Sequence, residues 1–263
     1  MSIDLKTVYN KNGYVVVKRL FDKCEINDIL TQIFNVYNTY CKSSMTDHKI
    51  MELFKVDNDG FIGCAHAAQS LLCLSRLQAD DRIVNILKIL GLSSPAINTR
   101  PLISISSRKT AINELYWRMP PHQDWPSTQG SINGVTVWIP LIDVTSDLGP
   151  LECVPQSHII GSLPHVDVGT PVLSGDYKFD AVPMDAGDAL FFSWFTIHRS
   201  GNNVSDKIRW TTHFRYNDLA EPTFIDRKYP RHREERRKKG ILHPGVPSVD
   251  QLKDIFYHPK PIV

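Results

Sequence analysis

The sequence predicts an α+β fold, with a helical amino-terminal portion followed by a β-rich body. Apolar residues recur at helical spacing before residue 96. From residue 97 onward the texture changes to short β-prone runs separated by Pro, Gly, Asn and Asp. With 263 residues, 42% hydrophobic and 22% charged, the chain has enough apolar material for one large globular core.

Gly13 to Leu20 (GYVVVKRL) is rich in β-branched residues and reads as an early strand. Asp22 is placed to cap a helix running through Ile26, Ile29, Leu30, Ile33 and Phe34. The stretch Ala65 to Leu90 reads as helix in two pieces, broken near Ala79-Asp80-Asp81. Ile83, Leu87 and Leu90 serve its packing, and Gly91 is its stop signal. The later runs are INTRPLISIS, ELYWRM, GVTVWIPLIDV, PLECVP, ALFFSWF and KIRWTTHFRY. Short strands with turn signals between them point to a sandwich or barrel, with the helices packed against it.

Composition excludes several function classes. A net charge of +2 gives no field that favours nucleic acid or a membrane surface. No apolar run approaches the roughly 18 residues of a membrane span. The segment MSIDLKTVYNKNGYVVV lacks the layout of a secretory signal. The five cysteines (Cys24, Cys41, Cys64, Cys73, Cys153) are odd in number and form no C-x-x-C pair. They read as reduced thiols of a cytoplasmic protein. The basic run Arg227 to Gly240 is expected to be a solvated helix or loop, paired locally by Glu234 and Glu235, rather than an anion-binding patch. No feature fixes an oligomeric state.

His122-Gln123-Asp124, with His198 seventy-six positions later, carries the chemistry. On an extended segment residues i and i+2 share a side, so His122 and Asp124 can hold one metal while Gln123 points away. A third ligand from elsewhere would complete a 2-His-1-carboxylate site with open positions. Alternation on the last strand puts Arg209, Thr211, His213 and Arg215 on one face, and Ile208, Trp210, Thr212 and Phe214 on the other. The first face is too polar for a dry core. A buried arginine there needs an anionic partner, which a dicarboxylate ligand can supply.

Five ordered blocks then resemble the phytanoyl-CoA dioxygenase family of Fe(II)- and 2-oxoglutarate-dependent oxygenases. They are HQD at 122–124, VWIPL at 137–141, LGPLECVPQSH at 148–158, GDALFF at 187–192, and HRSGNN from His198 with Arg209 beyond it. The resemblance implies a double-stranded β-helix, a jelly-roll or cupin-like barrel. Residues 97–217 would form its core within a single domain spanning 1–263, with a helical part over 1–96 and an extension over 218–263. It implies His122, Asp124 and His198 as iron ligands, and Arg209 as the anchor of the distal carboxylate of 2-oxoglutarate. Ser200 would assist Arg209, and Trp138 and Gln123 would line the co-substrate pocket. His158, which closes PQSH, reads as structural.

The implied reaction consumes O2 and 2-oxoglutarate, releases succinate and CO2, and hydroxylates a C–H bond, with ascorbate as an auxiliary reductant. Asp124 stands where related halogenases lack a carboxylate, which favours hydroxylation and leaves desaturation or ring closure as alternatives. Arg100, Arg108, Lys109, Arg118 and Arg215 hint at a small polar or anionic substrate, set against their reading as surface charges. Trp117, Trp125 and Trp194 read as core or as pocket lining. Two non-enzymatic alternatives stand beside this. One is a catalytically silent barrel acting as a binding or regulatory module. The other is a cupin-like sugar or nucleic-acid binder using the basic run.

Overall fold

The computed structural model describes residues 4–110, 118–167, 170–171, 176–230 and 248–257. The amino-terminal portion comprises α1 (Leu5–Asn12), α2 (Lys23–Cys41), α3 (Asp47–Val56), α4 (Asn58–Ala68), α5 (Leu72–Gln78) and α6 (Asp81–Leu90), with β1 (Tyr14–Val17) between the first two. Short helices α7 (Trp125–Thr128), α8 (Pro222–Asp226) and α9 (Val249–Phe256) follow.

Local signals set these boundaries. Glu25 accepts from the Asp22 amide at 2.9 Å at the start of α2. The same carboxylate takes both Nη atoms of Arg82 at 2.9 Å, tying α2 to α6. Gly91, at φ 111, ends α6 in the left-handed region that glycine tolerates. Two expectations need correction. The helical stretch ending at Leu90 lies in three pieces, because Ser70 and Leu71 donate back to Ala67 and Ala68 and close α4 with tight turns. Helix α3 and the first half of α4 lie where no element was expected, although Thr46 and Asp57 cap them.

The strands after the helices are β2 (Pro95–Ile97), β3 (Leu102–Ser106), β4 (Val135–Pro140), β5 (Leu151–Cys153), β6 (His165–Asp167), β7 (Thr170–Pro171), β8 (Asp180–Val182), β9 (Ala189–Ser193), β10 (His198–Ser200) and β11 (Arg209–Asp218). The large sheet runs β1-β9-β4-β11-β2, with β3 also paired to β11. A second sheet runs β10-β5-β8, and β6 pairs with β7. All these pairings are antiparallel. Of the expected run ELYWRM, residues 114–117 lie outside the described residues, and Arg118 and Met119 are irregular.

Side-chain alternation divides the large sheet into two faces. Val135, Val137 and Ile139 of β4 join Ile26, Ile33, Tyr37 and Leu87 in the main core, so the helices cover this outer face. Trp210 of β11 lies there too, its ring 5.3 Å from that of Phe34. The inner face carries Trp138, Leu190 and Phe192, which pack with Leu151, Cys153 and Val182 of the second sheet. Two antiparallel sheets closed around that inner space form the double-stranded β-helix.

Near the rim, Gly149 (φ +67) lets two loops touch. A Cβ on it would lie 2.6 Å from the backbone of Gly201, Asn202 and Asn203. Helix α9 seals the helical side through Phe256, which packs on Tyr9 and His158. The five cysteines are all free. No described helix is long and apolar enough to cross a membrane.

Candidate metal centre

His122 and His198 meet through their backbones. The His122 amide donates to the His198 carbonyl at 2.9 Å, and the His198 amide returns the bond at 3.0 Å. This antiparallel bridge sets the two rings 4.2 Å apart. Asp124 follows two residues after His122 and opens α7, with its side chain 1% exposed. One donor atom from each of His122, Asp124 and His198 lies within 4.8 Å of the other two. It is the one such cluster among the described residues.

The ring tautomers follow from the second hydrogen bond of each imidazole. Nδ1 of His122 sits 2.8 Å from the Pro120 carbonyl, and Nδ1 of His198 sits 2.9 Å from the Thr196 carbonyl. A carbonyl only accepts, so each Nδ1 carries the proton and each Nε2 keeps a free lone pair. Burial pushes the His198 pKa down to about 3, reinforced by His122, and lowers that of His122. Both rings are therefore neutral near pH 7. Burial alone would raise Asp124, but the charge of Arg215 and its hydrogen bond outweigh it and hold the carboxyl well below the usual range. The trio is thus in the protonation state a cation needs.

Around Asp124 the strand alternation has a direct consequence. Thr136 precedes Trp138 on the inner face of β4, and its hydroxyl donates to Asp124 Oδ2 at 2.6 Å. Arg215 of β11 donates from Nη2 to Oδ1 at 2.7 Å. Of the cations thought to favour an anionic substrate, Arg215 is therefore already paired. Arg100, Arg108 and Lys109 are exposed.

Arg209 behaves differently. It is 2% exposed, on the same face of β11 as Arg215, and its Nη1 donates to the Gly149 carbonyl. Its Nε has no partner, and no described carboxylate pairs with it. Burial alone lowers its pKa to about 10. His213 lies on this face as well, with Nδ1 unpartnered and its pKa lowered to about 3 by burial and then by Arg215.

Trp138 lies on the inner face opposite His213, 4% exposed. Ser200 Oγ accepts from the Met119 amide at 3.2 Å. Gln123, expected at the co-substrate pocket, has its amide bonded to backbone. Its Nε2 donates to the Gly161 and Phe195 carbonyls at 2.8 and 2.7 Å, and its Oε1 accepts from the Leu163 amide at 2.8 Å. With both amide ends bonded to backbone, it staples the ligand loop to its neighbours. Trp125 and Trp194 are fully buried core residues, while Trp117 lies outside the described residues.

The basic run also departs from expectation at its start. Arg227 is docked rather than solvated, donating to the carbonyls of Thr223, Gln129 and Gly130. Residues 231–240 lie outside the described residues. The sequence reading missed Thr136 as a partner of Asp124, although its two-residue spacing from Trp138 placed it on the inner face.

The family model of phytanoyl-CoA dioxygenase (PhyH) matches residues 9–211, most of the chain. The chain belongs to this family. The match takes in the helical part from α1 onward and the sheets as far as the start of β11. The chain is 33% identical over 111 residues to a methylphosphonate hydroxylase of Gimesia maris, covering 41% of this chain and 42% of that protein. The match therefore spans less than half of that relative's length. The fold resembles the epimerase SnoN, solved with Fe3+, alpha-ketoglutarate and nogalamycin RO (TM-score 0.59, 20% identity, 81% of this chain and 82% of that one). It also resembles iron-bound EctD of S. alaskensis (TM-score 0.56, 16% identity, 84% and 78%). These likenesses show a shared fold.

Proposed function

We propose that the chain, read as one domain, is an Fe(II)- and 2-oxoglutarate-dependent dioxygenase that hydroxylates a C–H bond of a small, polar or anionic molecule. One observation carries this reading. An unpaired buried guanidinium, Arg209, shares a strand face with Arg215, which touches the carboxylate of a His–Asp–His cluster. An isolated buried cation is costly, and a bound dicarboxylate removes that cost.

The residues present fit iron. Two imidazoles with free Nε2 atoms and an ionised carboxylate form the donor set of a facial triad. When bound, the metal with 2-oxoglutarate and O2 supplies the oxidant, and the keto acid leaves as succinate and CO2. Arg209 fixes the far carboxylate through charge-assisted hydrogen bonds and so decides which end reaches the triad. Ser200 and Trp138 bound the co-substrate's space, while Phe192 packs against the His198 ring at 4.5 Å and holds it in place.

Charge supports an anionic substrate. Iron, Arg209 and Arg215 against Asp124 and a dianionic keto acid leave an excess of positive charge in a buried site. The similarity to a methylphosphonate hydroxylase makes methylphosphonate a suitable first substrate, since it joins an anionic head to an unactivated methyl group.

The test is O2-dependent conversion of 2-oxoglutarate to succinate with iron and ascorbate, with anionic and matched neutral substrates. Substrate-stimulated succinate release that vanishes in His198→Ala is the expected result. Absence of turnover, with neither iron nor 2-oxoglutarate bound, would leave a silent barrel.

A further inference from the structure

We propose that Arg215 and Thr136 form a two-point clamp that decides which oxygen of Asp124 is presented to the metal. Both are positioning residues, acting through Asp124. The inference rests on reading His122, Asp124 and His198 as metal ligands.

The two oxygens of Asp124 are not equivalent. Oδ2 accepts from the Thr136 hydroxyl at 2.6 Å, which turns it toward β4. Oδ1 accepts from Arg215 Nη2 at 2.7 Å and lies 3.9 Å from His122 Nε2. Oδ1 therefore lies on the His122 side of the carboxylate. A carboxylate oxygen has two lone-pair directions. Arg215 occupies one on Oδ1, leaving the other for a cation between Asp124 and the histidines. With Oδ2 held by a hydroxyl, the arrangement presents Asp124 through one oxygen.

The clamp is built into the sheet. Thr136 and Arg215 are directly paired across β4 and β11, next to Phe214↔Val137 and Tyr216↔Val135. Directly opposed residues on one sheet face have Cβ atoms about 5 Å apart. A short hydroxyl on one strand and a long planar guanidinium on the other thus meet the two oxygens of one carboxylate. The backbone register fixes both donors, so rotating the Asp124 carboxylate, 1% exposed, would break two buried hydrogen bonds. A pair serving stability alone would not require the two donors to divide the oxygens in this way.

The test is Co(II) titration of the purified full chain, followed by calorimetry and visible absorption, whose ligand-field bands report coordination geometry. The variants are Thr136→Val, which keeps shape and removes the donor, Arg215→Met, which removes the charge, and Arg215→Lys, which keeps charge without the planar fork. Loss of an outer partner of a metal ligand weakens metal affinity by about 10–100-fold. Thr136→Val and Arg215→Met should each show such a loss with an altered spectrum, and Arg215→Lys should fall between Arg215→Met and the wild type. Metal-free melting of Thr136→Val reports whether the fold is intact, and this variant decides the matter if Arg215→Met does not fold. Wild-type affinity and spectrum in either Thr136→Val or Arg215→Met would overturn the clamp. A wild-type chain that binds no Co(II), or binding that survives His198→Ala, would overturn the metal-site reading itself.

Discussion

His122 and His198 exchange backbone hydrogen bonds at 2.9 and 3.0 Å, an antiparallel bridge that joins the ligand loop to β10. The bond uses main-chain atoms, so it survives loss of either side chain. His122→Ala and His198→Ala should therefore fold and melt near the wild type, yet lose iron and succinate formation to the limit of detection. Circular dichroism and metal analysis on the same preparations check this. Retained turnover in either variant would remove that residue from the site.

Arg209 should show opposite effects on stability and on co-substrate use. Truncating one partner of a buried charge pair costs about 2–5 kcal/mol of binding, so Arg209→Met should raise the 2-oxoglutarate requirement by at least about 30-fold. Without ligand, Arg209→Met removes a buried cation that no described carboxylate neutralises, so it should leave stability unchanged or raise it. Melting curves with and without 2-oxoglutarate test both halves. Unchanged co-substrate dependence would place the anchor elsewhere.

Gln123 separates a staple from a cofactor contact. Its amide satisfies the Gly161 and Phe195 carbonyls and the Leu163 amide. Gln123→Ala should destabilise the chain by about 3 kcal/mol or more, since each of the three buried groups left unsatisfied costs about 1–3 kcal/mol. The 2-oxoglutarate affinity of the folded fraction should stay within about threefold. A selective loss of that affinity at unchanged stability would return Gln123 to the pocket.

Acid stability follows from buried neutral histidines. Burial lowers the His158 pKa to about 4, only partly offset by its bond to the Asn10 carbonyl, against roughly 6.5 in an unfolded chain. Between those values the unfolded state takes up a proton that the folded state refuses. Stability therefore falls as pH drops from about 6.5 to 4, by up to about 1.4 kcal/mol per pH unit for this group. His213 adds in the same direction and to lower pH, its pKa being about 3. In His158→Gln, denaturant unfolding across this range should show a slope reduced by about one proton. An unchanged slope would mean His158 is protonated in the folded state.

Much of this centre was readable from the chain because strand alternation and i, i+2 spacing are local rules. They placed His122 with Asp124, and Arg209 with Thr211, His213 and Arg215, before any fold was known. The pairing of Arg215 with Asp124 was not readable, since it depends on where the loop carrying Asp124, bridged to β10, lies against β11. For the same reason Arg215 looked like a free cation. The backbone bonds of Gln123 were not readable either, because its three partners come from segments distant in sequence. Helix α3 is capped by Thr46, but a cap is a weak signal on a helix of ten residues without a longer apolar period beside it.

The most direct measurement is anaerobic calorimetry of 2-oxoglutarate binding to the wild type and Arg209→Met, each with and without Fe(II). The expected result is one iron per chain and one keto acid that binds tightly only with iron present and Arg209 intact. Binding of 2-oxoglutarate that ignores both the metal and Arg209, or no binding by the iron-loaded wild type, would contradict the assignment.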